Sequence, residues 1–126
     1  MSEIKTLDYN TQQLKDAIIE GAQEKRAKDI VSLDLKNIHN SSTDYYVVCH
    51  GQSDRQSASI AKSIEETVFN RLGLKPFHRE GYENGEWILL DYFDIVAHIF
   101  VEKQREFFAI EDLWADAPVE EFENMN

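Results

Sequence analysis

The chain has 126 residues, of which 42% are apolar and 29% charged, and a formal net charge of −11 at pH 7. That length suits one domain burying roughly two-thirds of its unfolded surface, and the composition excludes a wholly disordered chain. The negative balance opposes unaided binding to phosphate backbones, where Lys and Arg must displace counterions; it favours a basic partner or serves only solubility.

A single cysteine, Cys49, excludes an internal disulfide framework and suits a reducing compartment. No apolar run reaches the length of a membrane span, and the N-terminus lacks the pattern of a signal peptide. The expected address is the cytoplasm.

Asn10 or Thr11 can cap a first helix running to about Lys28, with Leu14, Ala17, Ile18 and Ala22 as its apolar stripe. Asp29–Leu35 reads as a strand, 37–43 as a polar connection, and Tyr45–Cys49 as a central strand buried on both faces. After the Gly51-Gln52-Ser53 turn, Ser53 and Gln56 match a capping box. The helix they start should bury Ala61, Ile64, Val68 and Leu72 and end at Gly73 in a left-handed conformation. An irregular connector follows, with a short extended piece around Phe77–Arg79.

Glu86–Val101 reads as a β-hairpin with Tyr92 and Phe93 as a two-residue turn. Asp91 then faces Asp94, Leu89 faces Val96 and Trp87 faces His98. Because side chains alternate along a strand, Ile88, Leu90, Ile95, Ala97 and Ile99 share the other face, which is wholly apolar and must be buried. The first face mixes Trp87, Asp91, Asp94 and His98 with apolar groups, as a sheet surface does when it is half solvated or meets a partner. A last helix, from about Glu102 to Trp114, presents Phe107, Ile110, Leu113 and Trp114. Residues 1–118 are expected to form a single α/β domain, a mixed β-sheet flanked by helices, and residues 119–126 an acidic, solvated tail.

Enzymatic readings of these motifs are incomplete. A nucleophile elbow needs a second Gly where Arg55 stands. A nucleotidyltransferase places two metal-binding carboxylates on a strand after its Gly-Ser turn. Here Glu65 and Glu66 fall on a helix, and Asp91 and Asp94 make a poor Mg²⁺ pair without phosphates to share the coordination. His39, His50, His78 and His98 show no helical i, i+4 pair, and no second cysteine supports a zinc site. Cys49 reads as an inert buried thiol. Arg105 can clamp a partner carboxylate or pair with Glu102 or Glu106. The mixed face lifts Trp87 above a core residue, since Trp is enriched among interface anchors.

An ordered set of short motifs goes further: Asp29-Ile30-Val31 with Asp34-Leu35, Thr43-Asp44-Tyr45, Gly51-x-Ser53-x-x-Gln56 and Glu80-Gly81. It continues through Trp87-Ile88-Leu89-Leu90-Asp91, Asp94-Ile95-Val96-x-His98, Arg105 and Glu111-x-Leu113-Trp114. Together these resemble the ribosomal silencing factor family, also called the Iojap family, over nearly all of Lys25–Pro118. The resemblance implies a homodimer with a nucleotidyltransferase-like topology lacking the catalytic carboxylates. It implies no enzymatic activity and no cofactor or metal. It also implies binding to ribosomal protein L-fourteen on the large (50S) subunit, which sterically blocks joining of the small (30S) subunit and slows translation when nutrients are short. Related organellar proteins assist ribosome assembly.

By position, Trp87 corresponds to the hairpin Trp that the family places in the ribosomal-protein contact. Phe108 corresponds to an aromatic that is usually Tyr, so the ring is kept and the hydroxyl lost. Phe93 stands where the family commonly has Gly, and a positive φ is costly for Phe. The expected docking patch comprises Trp87, Asp91, His98, Arg105 and Phe108. Two other functions fit the same residues: a nucleotidyltransferase-like or nucleotide-binding protein using Ser53, Asp91 and Asp94, and a large-subunit assembly factor that does not block joining.

Overall fold

The structure, a computed structural model, describes residues 9–38 and 41–125; His39, Asn40 and the last residue of the expected tail lie outside the described residues. In chain order the elements are α1 (Thr11–Glu24), β1 (Lys28–Asp34), β2 (Tyr45–Gly51), α2 (Asp54–Leu72), β3 (His78–Glu80), β4 (Trp87–Asp91), β5 (Ile95–Val101), α3 (Glu102–Phe108), α4 (Ile110–Leu113) and β6 (Val119–Glu121). The strands form one mixed sheet in the order β3-β4-β5-β2-β1-β6, in which only β2 and β5 are parallel.

Both long helices start where side chains satisfy the orphan N–H groups and end on backbone caps at Lys25 and Gly73. The Asn10 carboxamide accepts from Gln13 N–H, and the Gln13 side chain accepts from Asn10 N–H, each at 2.8 Å. Ser53 Oγ accepts from Gln56 N–H at 3.0 Å, but the Gln56 side chain reaches one residue further, to Gln52 N–H at 2.7 Å. Gly73, at φ 67°, ends α2. The first helix stops short of Lys28 because Arg26 turns to φ 62° and Lys28 already belongs to β1.

α1 and α2 cover one sheet face, where Leu14, Ile18, Ile60 and Ile64 pack against Ile88, Leu90, Ile95 and Ile99, all fully buried. The apolar hairpin face therefore forms the main core. The two helices approach closely at Gly21, where an added Cβ would stand 2.7 Å from Ile64 Cα. The second face carries a smaller core of Val31, Leu33, Val48 and Phe100, capped by Ile110 and Ala117.

Three expectations need correction. The tight turn is Phe93-Asp94, so Trp87 pairs with Phe100, Leu89 with His98 and Asp91 with Val96. The register shifts by two residues while every side chain keeps its face. Phe93 takes φ 77°, held by its N–H donating to Asp91 Oδ1 at 2.8 Å. The Asp91–Asp94 and Trp87–His98 cross-strand pairs accordingly do not form.

The last helix is not continuous. Ala109, at φ 47°, ends α3 and redirects the chain so that Ile110 turns inward. Finally, the expected solvated tail begins instead with edge strand β6, antiparallel to β1. Hydrogen bonds from Asp34 N–H to Pro118 O and from Phe122 N–H to Ile30 O, each 2.9 Å, bracket it. Lys15 Nζ lies 3.2 Å from Glu120 Oε1 and ties it to α1. Charge and proline suggest a tail, but β1 needs partners for its outer row of backbone groups.

Candidate docking site

β4, β5 and β2 carry Trp87, His98 and Tyr46 on the sheet face that α3 and α4 cover only in part. Trp87 is half-buried. Its indole stacks on Phe100 with ring centroids 4.9 Å apart and meets Phe108 at 4.7 Å. Its Nε1–H donates to His98 Nδ1 at 3.1 Å. An indole N–H only donates, so Nδ1 acts as acceptor and the neutral ring carries its hydrogen on Nε2. That Nε2 is buried and has no hydrogen-bond partner among the described residues. Tyr46 meets the His98 ring edge-on at 4.4 Å, and Trp114 meets Tyr46 at 5.9 Å. Burial lowers the His98 pKa to about 4, so the imidazole is neutral at pH 7.

The aromatic chain continues outward. Phe107 contacts Phe108 at 5.1 Å and is 78% exposed, while Phe108 is 44% and Leu113 74% exposed. From Phe107 through Phe108, Trp87, the buried His98 and Tyr46 to Trp114, an aromatic band runs across this face, exposed at Phe107 and Phe108 and half-buried at Trp87, Tyr46 and Trp114. Bands of this kind mark interaction sites on soluble domains.

The expected residues divide. Trp87 and Phe108 meet in the band. Asp91 is half-buried on the same face, and its charge helps raise the Tyr46 pKa, after desolvation. His98 is only 4% exposed and positions the indole from below, with no surface for a partner to touch.

Arg105 lies on the far flank of α3 and is itself buried. Its Nε and Nη2 donate to both Glu111 oxygens at 3.0 and 2.9 Å, and Nη1 reaches His50 Nδ1 at 3.0 Å. Neither Glu102 nor Glu106 is its partner. With its fork occupied, Arg105 clamps α3 to α4 and β2 and is not free for an outside carboxylate. Sequence reasoning took Tyr46 for core and did not count Phe107, Leu113 and Trp114 in the patch. Two adjacent aromatics on a short helix, Phe107-Phe108, were the available signal, since both cannot point inward.

The nucleotidyltransferase reading finds no assembled site. Among the described residues no three of His, Cys, Asp and Glu are grouped to hold a metal ion. Ser53 serves as the helix cap, and Glu65 accepts from Arg79 and Tyr82. Among the same residues no helix is long and apolar enough to cross a membrane.

Residues 8–126 match the family described as ribosomal silencing factor during starvation. The chain is similar to the ribosomal silencing factor RsfS of Bacillus subtilis, 38% identical over 76% of this chain and 80% of that protein. Its likeness to RsfS of Halalkalibacterium halodurans is 33% identity over 92% and 97% of the two chains. A Chromobacterium violaceum crystal structure superposes with TM-score 0.80 at 31% identity, covering 85% of this chain and 88% of that one. With the match spanning nearly its whole length, this chain belongs to the ribosomal silencing factor family.

Proposed function

We propose that this protein is a non-enzymatic occlusion factor that binds ribosomal protein L-fourteen on the large ribosomal subunit through the aromatic band. The observation carrying this reading is the half-buried Trp87 indole, held by His98 and continued outward by the exposed Phe107 and Phe108 rings. Membership of the family supplies the ribosome as partner. A bound body on the joining face excludes the small subunit by volume alone, so the reading requires no chemistry, and translation slows under starvation in the cytoplasm. The net charge of −11 steers the factor toward a basic protein and opposes capture by bare RNA.

Covering the indole contributes on the order of 2–4 kcal/mol, the scale of an interface hot spot. Trp87→Ala therefore retains its fold and no longer co-sediments with large subunits. Unchanged co-sedimentation by that variant refutes the site. In a subunit-association assay, rising concentrations of the intact protein reduce joining; binding without reduced joining identifies an assembly factor instead.

Family membership also supports a homodimer. Sedimentation equilibrium is expected to give twice the chain mass, and a monomer at high micromolar concentration overturns that expectation.

A further inference from the structure

Behind α3, on the flank opposite Phe108, lies an open cleft of about 690 Å³ between β1, the C-terminal segment and the α3–α4 turn. That volume lies within the range of ligand sites. Six carboxylates line it (Asp29, Glu102, Glu106, Glu111, Asp112 and Glu121), against the single guanidinium of Arg105. Arg105 spends its fork on Glu111, so the others face the cleft without a resident cation from its side chain.

A second observation is the His50 ring, 4% exposed, at the cleft wall. Arg105 Nη1 can only donate, so His50 Nδ1 accepts at 3.0 Å and the neutral ring's hydrogen sits on Nε2. Nε2 makes no hydrogen bond among the described residues; Glu102 Oε2 is 3.8 Å away, beyond hydrogen-bond reach. Burial, with Arg105 beside it, lowers the His50 pKa and keeps the ring neutral at pH 7. The cleft wall thus carries an unpaired imidazole donor among carboxylates. No trio of these groups is placed to hold a metal ion. A ligand that satisfies both features needs a carbonyl acceptor and a bulky cation close together. A peptide carrying Lys or Arg has that pairing in each basic residue.

We propose that this cleft binds a basic segment of the same protein partner that covers the aromatic band, with a main-chain carbonyl on His50 Nε2 and the cationic side chain among Glu102 and Glu106. The proposal rests on the docking reading above, because α3 contributes residues to both surfaces. One face of that helix would anchor the partner by apolar contact and the other would fix its orientation by charge.

The test titrates acetyl-hexalysine amide into the ¹⁵N-labelled protein. Saturable shifts are expected at His50, Glu102 and Ala109, and a folded Glu102→Gln/Glu106→Gln variant is expected to bind about tenfold more weakly. A control, Asp16→Asn/Glu24→Gln, removes the same charge from exposed positions on α1 and is expected to bind as the unmodified protein does. Equal losses in both variants, or shifts that never saturate, mean diffuse attraction and overturn the cleft. Trp87→Ala is expected to bind hexalysine normally, so failure of the aromatic site is read separately. Glu102→Gln/Glu106→Gln is also expected to weaken large-subunit co-sedimentation. If it co-sediments unchanged while Trp87→Ala does not, the shared-partner proposal falls and the aromatic site stands.

Discussion

The two nitrogens of the His98 ring have unequal surroundings: Nδ1 holds the Trp87 indole, and Nε2 is buried with no partner among the described residues. A charge here finds no water, so the ring's pKa drops to about 4 in the folded protein from 6.5 in a free chain. The unfolded state therefore binds more protons in that interval, and stability falls as pH is lowered from 6.5 toward 4. The loss attributable to this ring approaches about 3 kcal/mol at the acid end, an order-of-magnitude figure. His50 is shifted the same way and adds to the slope. Urea midpoints across this range are expected to decline steadily for the unmodified chain and more shallowly for His98→Gln. Equal slopes would mean that His98 is not the source. At the same scale, Arg105 illustrates how a residue type misleads: its charge suggests a surface clamp, but its bidentate pairing with Glu111 makes it an internal strut.

Among the elements, α1 and α2 pack at close range. With Ile64 Cα only 2.7 Å from where a Gly21 Cβ would stand, and Ser63 Oγ donating to Gly21 O at 2.8 Å, the helices have no slack. Gly21→Ala is expected to cost about 1–3 kcal/mol by forcing them apart, visible as a lowered melting temperature. An unchanged melting temperature would mean that the pair relaxes freely.

Periodicity and caps made α1, α2, β1, β2 and the hairpin legible in the sequence, because each is dictated locally. The turn position was not, since either dipeptide closes a hairpin and only the burial of Tyr92 selects Phe93-Asp94. Nor did anything local predict the break at Ala109, a residue that favours helix. Burying Ile110 on the second core decides it. Edge strand β6 was hidden for the same reason: its three side chains are all exposed, so hydrophobic patterning is silent and only pairing with β1 defines it. Of the proposed patch, Trp87 and Phe108, whose rings meet, could be picked out by type and position. The roles of His98 and Arg105 depend on contacts between distant segments.

Among the described residues, the sheet has one helical layer on its first face and a partial cover on its second, so the second face is the more open to another body. The sole cysteine points away from that opening. Cys49 lies on central strand β2, facing α1 and α2; it is 1% exposed, and burial pushes its thiol up to about 12. A maleimide or disulfide reagent can therefore react only when α1 and α2 lift from the sheet, and the chain carries a built-in clock for its own opening. Labelling followed by mass spectrometry should proceed at the global unfolding rate and accelerate with denaturant, whereas rapid modification in plain buffer would reveal a breathing motion near β2. Occupying the aromatic band with a partner should slow that clock, which gives a measure of ligand-induced stabilisation without any engineered probe.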